Sequence, residues 1–245
     1  MTIKAHLLNK SFGRTKAVVD LSFTALQGGV IGLLGANGAG KSTLIKMLTG
    51  SLTPDSGDAD INGLSIVKDR ICAQAEIGYL PEAVNGFESL HVLEFLRFVA
   101  NAKGLLKNAA NVEINRIIDI LALAEVLTFQ LGRLSKGWRQ RAWLAQAMIG
   151  DPPVLFLDEP TDGLDPIQKS AIRSILKNMA QSKTIVMSTH ILEEAELLCM
   201  DLVIMRHGKI VDSGQIQNFL DENGRLEPKV KMLIGEVNSG TSGDG

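Results

Sequence analysis

The chain has 245 residues, 45% of them hydrophobic and 21% charged, with a formal net charge of −2. That length suits one large domain or two small ones, and the balance is that of a globular protein, not of a disordered or fibrous one. The near-neutral charge gives no reason to expect a nucleic-acid partner, and the absence of any apolar run of about 18 residues gives none to expect a membrane-spanning helix. The segment from Met1 to His6 has no apolar signal-peptide core, so the expectation is a cytosolic protein whose work at a membrane would need a partner that does the spanning. Cys72 and Cys199 stand far apart without metal-ligand spacing and are expected to be buried small hydrophobes in a reducing compartment.

Residues 2–10 and 18–26 alternate loosely and carry β-formers such as Ile3, Val18, Val19 and Phe23, which predicts two strands of an antiparallel sheet. The turn between them, Ser11-Phe12-Gly13-Arg14, holds an aromatic ring. The apolar run Val30-Ile31-Gly32-Leu33-Leu34 reads as a buried parallel strand. It leads into Gly35-Ala36-Asn37-Gly38-Ala39-Gly40-Lys41-Ser42-Thr43. Residues 43–48 then read as a helix, with Gly50 placed to end it. Strand, glycine loop and helix in that order are the context a phosphate-binding P-loop requires. Glycines let successive N–H groups turn inward around a phosphate, and the helix N-terminus adds partial positive charge at the same spot. Lys41 can bridge the outer phosphates, and the Ser42 hydroxyl can ligate Mg²⁺.

The cluster Thr53-Pro54-Asp55-Ser56-Gly57 is a turn, residues 59–61 a short strand and Asn62-Gly63 a hairpin-type turn. Residues 77–80 form a strand ended by Pro81-Glu82. From residue 89 to 104, Leu90, Leu93, Leu96, Phe98 and Val99 recur near helical spacing, with Ser89 able to cap the start. Residues 111–127 and 136–149 are predicted helices as well. This all-helical block, residues 86–149, interrupts an α/β pattern and reads as an inserted subdomain. Residues 154–157 are a buried strand from which Asp158 and Glu159 emerge at the C-terminal end, where ligands bind in open α/β sheets. Asp158 is placed to hold Mg²⁺ through water, and Glu159 to polarise an attacking water as general base. Pro166 opens a helix running to about residue 181, with Ile167, Ile172, Ile175, Leu176 and Met179 as its apolar face. Residues 184–187 are a strand, 192–199 a helix and 202–205 a strand that turns at Gly208 into residues 209–211. Residues 223–245 show no sustained periodicity, and 238–245 read as a flexible tail.

Just before the strand with the two acids comes Leu134-Ser135-Lys136-Gly137-Trp138-Arg139-Gln140-Arg141. This stretch resembles the Leu-Ser-Gly-Gly-Gln signature of the nucleotide-binding subunits of ABC transporters, in the variant carried by the ABC-2 export type. Leu134, Ser135, Gly137, Gln140 and Arg141 match; Lys136 and Trp138 depart. The resemblance continues through Asp162-Gly163-Leu164-Asp165 as the D-loop and through Ser188-Thr189-His190 with its switch histidine, and it spans roughly residues 2–220. It implies an α/β P-loop NTPase with a RecA-like core sheet, an antiparallel β subdomain and the inserted α-helical subdomain. The ATPase domain would occupy residues 1–222 and a C-terminal extension residues 223–245.

The resemblance also implies roles. Phe12 would stack on adenine, as an aromatic face can. Residues 35–43 would bind the phosphates of ATP, with Ser42, Asp158 and Glu82 attending Mg²⁺. Glu82 stands where the family usually has Gln. Glu159 and His190 would be catalytic. Ser135 and the Gly137 N–H would contact the γ-phosphate of ATP held by a second ATP-binding subunit, an identical chain or a paralogue, and Lys136 adds positive charge there. Asp165 would shape the dimer contact, and Asp162 replaces a common Ser close by. The other implied partner is a separate membrane-spanning permease, which places the chain peripherally on the cytoplasmic face of a membrane, without nucleic acid. The permease would couple near residues 82–93, with Phe87 either a contact or core. His6, His91 and His207 read as structural. A soluble, non-transport ABC clamp competes with this reading, but there is one domain, no heptad run and mild acidity. A P-loop kinase leaves the segment from Leu134 to Arg141, and His190, unexplained.

Overall fold

The computed structural model describes residues 2–26 and 28–234; the tail expected over 238–245 lies outside them. In chain order, β1 (Thr2–Phe12), β2 (Thr15–Leu26) and β3 (Gly29–Leu34) precede α1 (Lys41–Leu48). Then come β4 (Ser56–Ile61), β5 (Leu64–Ser65), α2 (Arg70–Ala75) and β6 (Ile77–Leu80). Three helices follow, α3 (Val92–Ala102), α4 (Lys107–Leu121) and α5 (Lys136–Met148). The α/β pattern resumes with β7 (Val154–Asp158), α6 (Pro166–Met179), β8 (Thr184–Thr189), α7 (Leu192–Leu198), β9 (Asp201–Arg206) and β10 (Lys209–Gln215), and α8 (Glu227–Ile234) ends the described chain.

Two sheets result. One is antiparallel, in the order β2-β1-β4-β5. The other runs β10-β9-β3-β8-β7-β6, parallel throughout except for β10. The apolar runs of its strands follow from burial on both faces. Side chains alternate along a strand, so Val30 and Leu34 of β3 point into one core while Ile31 and Leu33 point into the other. Leu155 and Leu157 divide from Val154 and Phe156 in the same way on β7, and Leu202 and Ile204 from Val203 and Met205 on β9. The second core is closed by α1 and the antiparallel sheet; the first is closed by α3 to α8. Asn62 and Gly63 both take positive φ, 56° and 88°, the primed turn a two-residue hairpin prefers.

Several elements differ from expectation. Helix α3 starts after His91, not at Ser89, because Glu94 reaches back and accepts from the His91 N–H at 2.9 Å, one half of a capping box. Helix α4 spans Lys107–Leu121 and not 111–127; Ala122, at φ 51°, breaks it. Helix α2 has no counterpart in the sequence reading, since it is short and buries only Ala73, and its Cys72 is exposed while Cys199 is buried. Ile167 leaves the predicted apolar face of α6 and is 83% exposed. It lies five residues before Ile172, about 1.4 turns, and so is rotated off the stripe of Ile172, Leu176 and Met179. The segment after residue 223 contains α8, whose Val230 is fully buried, as is Leu226 before it.

Candidate functional site

The site follows from strand register. Pairing sets Leu34 beside Thr189 and Asp158 beside Ser188, with Leu80 beside Leu157. The glycine loop, Asp158-Glu159, Ser188 to His190 and Glu82 therefore all leave the parallel sheet at its C-terminal edge, where open α/β sheets bind ligands.

The loop turns at Gly40, which caps α1 at φ 102°, a backbone conformation that suits glycine. A Cβ there would also run into the Ala17 carbonyl oxygen. The Lys41 side chain is 6% exposed, and its ammonium donates to the carbonyls of Gly35 at 2.7 Å and Ala36 at 3.3 Å. Burial lowers its pKa from the ordinary value, against the opposing pull of Glu159, Asp158 and Glu82. The Glu159 carboxylate lies 3.9 Å from it.

Asp158 is buried, and its Oδ1 accepts from the Ser188 hydroxyl at 2.5 Å and the Ser42 hydroxyl at 3.1 Å. Its Oδ2 is buried without a hydrogen-bond partner. A buried orphan carboxylate oxygen is unfavourable unless something satisfies it. With a hydroxyl alongside, this hard-oxygen set fits Mg²⁺ or its water shell. Glu159 takes φ 50°, a left-handed backbone that few non-glycine residues adopt and that gathers at functional sites. Its N–H donates to the Ser188 hydroxyl oxygen at 2.9 Å, and its two carboxylate oxygens lie 3.0 and 3.1 Å from His190 Nδ1.

A cleft of about 390 Å³ is lined by Phe12, Thr15, Lys16, Ala17, Asn37, Gly38, Ala39, Gly40, Lys41, Ser42, Thr43, Glu82 and Glu159. Phe12, at the end of β1, presents its ring half exposed. Gly35, Ala36 and Asn37 line an adjoining pocket with His190. The sequence reading missed Thr15, Lys16 and Ala17, although they directly follow the turn that carries Phe12. It quoted Ser188 without a role. It also passed over Tyr79, whose phenol is buried near Asp158 and Glu82; burial first, then these two carboxylates, push its pKa up to about 12. No local signal marks Tyr79.

Ser135 and Gly137 are not among the residues lining this cleft. Ser135 caps α5, its hydroxyl accepting from the Trp138 N–H at 3.4 Å. Gly137 is buried, and a Cβ on it would meet the Gln168 side chain of α6. The buried Gln140 amide donates to the Pro160 carbonyl at 3.0 Å, and Asp165 caps α6 through the Gln168 N–H at 2.9 Å. These contacts set the signature turn and the D-loop side by side, with Ser135, Lys136, Asp162 and Asp165 exposed and none of them lining the cleft of their own chain.

A glycine loop between strand and helix, with paired acids at the end of a parallel strand two places along the same sheet, defines a nucleotide hydrolase of the P-loop class. The sequence model described as ABC transporter matches residues 18–162. Two relatives and one solved structure agree with it. An uncharacterised ABC transporter ATP-binding protein of Bacillus subtilis (strain 168), YhcH, is 39% identical over 219 residues, covering 86% of this chain and 68% of that one. The Nod factor export ATP-binding protein I of Rhizobium sp. (strain N33) is 36% identical over 217 residues, covering 88% and 71%. A solved structure described as the ATP-binding subunit of an ABC transporter matches with a TM-score of 0.82 at 29% identity, covering 96% of this chain and 99% of that one. The chain belongs to the ABC transporter family, as an ATP-binding subunit that hydrolyses ATP to power transport.

Proposed function

We propose that two copies of this chain close around two ATP molecules and drive export through a separate membrane-spanning permease, from the cytoplasmic face. The observation that carries this reading is the split site. Lys41 and Glu159 line one cleft, with Asp158 joined to it through Ser42 and His190 through Glu159, while the exposed Ser135 and the buried Gly137 are not part of its lining. Each ATP would lie between residues 35–43 of one copy and residues 135–137 of the other. The name of the Nod factor export relative and the variant signature support export. Among the described residues no helix is long and apolar enough to cross a membrane, so the spanning falls to the partner. Residues 82–93 are its proposed contact, beside an aromatic cluster in which Phe87 lies 5.2 to 6.4 Å from Phe95, Phe98 and Trp143.

In the proposed reaction Phe12 stacks on the adenine and the loop N–H groups hold the phosphates. Lys41 exchanges its two carbonyl acceptors for phosphate oxygens. Ser42 and Asp158, with Glu82 at the rim, would hold Mg²⁺, which supplies charge neutralisation on the phosphates. Glu159 takes a proton from water, whose oxygen bonds to the γ-phosphorus; the bond from that phosphorus to the bridging oxygen breaks, and ADP leaves with the electron pair. His190, held against Glu159, positions the water and the γ-phosphate.

The Glu159→Gln variant should bind ATP normally in a nucleotide titration yet turn over at least about 100-fold more slowly, the scale of a lost general base. Full activity in that variant would remove Glu159 from the role. The same variant, trapped with ATP in detergent-solubilised membranes, should copurify a polytopic membrane protein. Recovery of soluble partners alone would favour a non-transport clamp.

A further inference from the structure

On the two-copy reading above, we propose that Lys136 and Asp162 form a latch that ATP opens: the Lys136 ammonium, held by Asp162 before the copies meet, transfers to the γ-phosphate of ATP on the second copy. The structure pairs the two residues at 3.2 Å. The ammonium lies across Gly163, at the place a Cβ there would fill.

The electrostatics make Lys136 poorly placed unless an anion arrives. It opens α5, whose first turn contains no acid and where the helix dipole is already positive. Arg139 stands in the same turn. Asp162 compensates from another loop, yet the pair is 58% and 51% exposed, and an exposed ion pair held by one contact is weak. A terminal phosphate offers more charge and several acceptor oxygens, and closure of the two copies would remove the water that screens it. Lys136 immediately follows Ser135, the residue proposed to reach that phosphate. The D-loop would respond when the ammonium leaves, because the Asp162 N–H is bonded to the Glu159 carbonyl at 3.2 Å. Arrival of the second copy would thus be felt one turn from the general base.

The test is the ATP concentration that half-dimerises the full-length Glu159→Gln protein, read by analytical ultracentrifugation, with circular dichroism confirming that each variant is folded. Adding Lys136→Gln should raise that concentration several-fold, because a phosphate contact is lost. Adding Asp162→Asn should lower it several-fold, because the ammonium is set free. Adding both should match Lys136→Gln alone. A pair that only braced the surface would shift in the same direction with either substitution, and that result overturns the latch. An Asp162→Asn effect that persists without Lys136 would mean simple charge repulsion and also overturns it. If the Glu159→Gln parent stays monomeric at saturating ATP, the two-copy reading itself fails and the latch with it.

Discussion

At the scale of one residue, Lys41 shows what the candidate site costs in stability. Its side chain sits almost wholly out of water, and burial outweighs the three nearby carboxylates. A buried lysine whose native pKa is depressed binds its proton more weakly folded than unfolded. Its contribution is therefore unfavourable below the native pKa, and that penalty is relieved as the pH rises toward the value of an exposed lysine. Without nucleotide, Lys41→Met should be more stable than the parent by about 1 kcal/mol near neutral pH, read by urea denaturation, with the gap narrowing in alkaline buffer. Added ATP should stabilise the parent through binding linkage and leave the variant unmoved. A destabilised variant would mean that the two carbonyl bonds and the carboxylates outweigh the burial.

At the scale of elements, helix α5 and the strand beneath it explain a glycine that strand propensity disfavours. Gly78 sits in β6 where α5 crosses, and a Cβ there would strike the Ala147 carbonyl oxygen and the Leu155 side chain. Backbone cannot yield as a flexible side chain does, so Gly78→Ala should destabilise by about 1–3 kcal/mol, as overpacking does, measured by urea unfolding. The contact matters for the site because the same helix carries Ser135 and Lys136 at its other end, while the C-terminal end of β6 leads to Glu82. Apolar residues recurring near helical spacing made α3 legible in the sequence. Helix α2 was not, since one buried alanine in six residues leaves no periodic trace.

For the whole molecule, the stretch from Leu226 to Val230 anchors α8 in the core. Leu226 and Val230 are fully buried, and the Leu226 N–H donates to the Glu196 carboxylate at 2.7 Å. Leu226→Ala should lower stability by about 2–5 kcal/mol, the range for a buried leucine truncated to alanine, with a matching fall in Tm. An unchanged Tm would mean that α8 is loosely attached. The sequence reading missed this helix because, among its described residues, Val230 alone is fully buried, and the surface it packs on is built by residues far upstream.

Local chemistry was enough for much of this protein. Continuous apolar runs marked β3, β7, β8 and β9, since strands covered on both faces need no alternation, and the glycine loop announced phosphate binding because its chemistry lies within nine consecutive residues. The signature turn and the two acids were legible for the same reason. What folding alone decided is how these pieces meet. Parallel register sets Asp158 beside Ser188 and brings His190 against Glu159, across separations of about thirty residues, and the same sheet carries Lys41 to them from more than a hundred residues away. The left-handed backbone of Glu159, the orphaned oxygen of Asp158 and the pairing of Lys136 with Asp162 are products of that assembly. They arise from distances between segments, which no stretch of sequence encodes by itself.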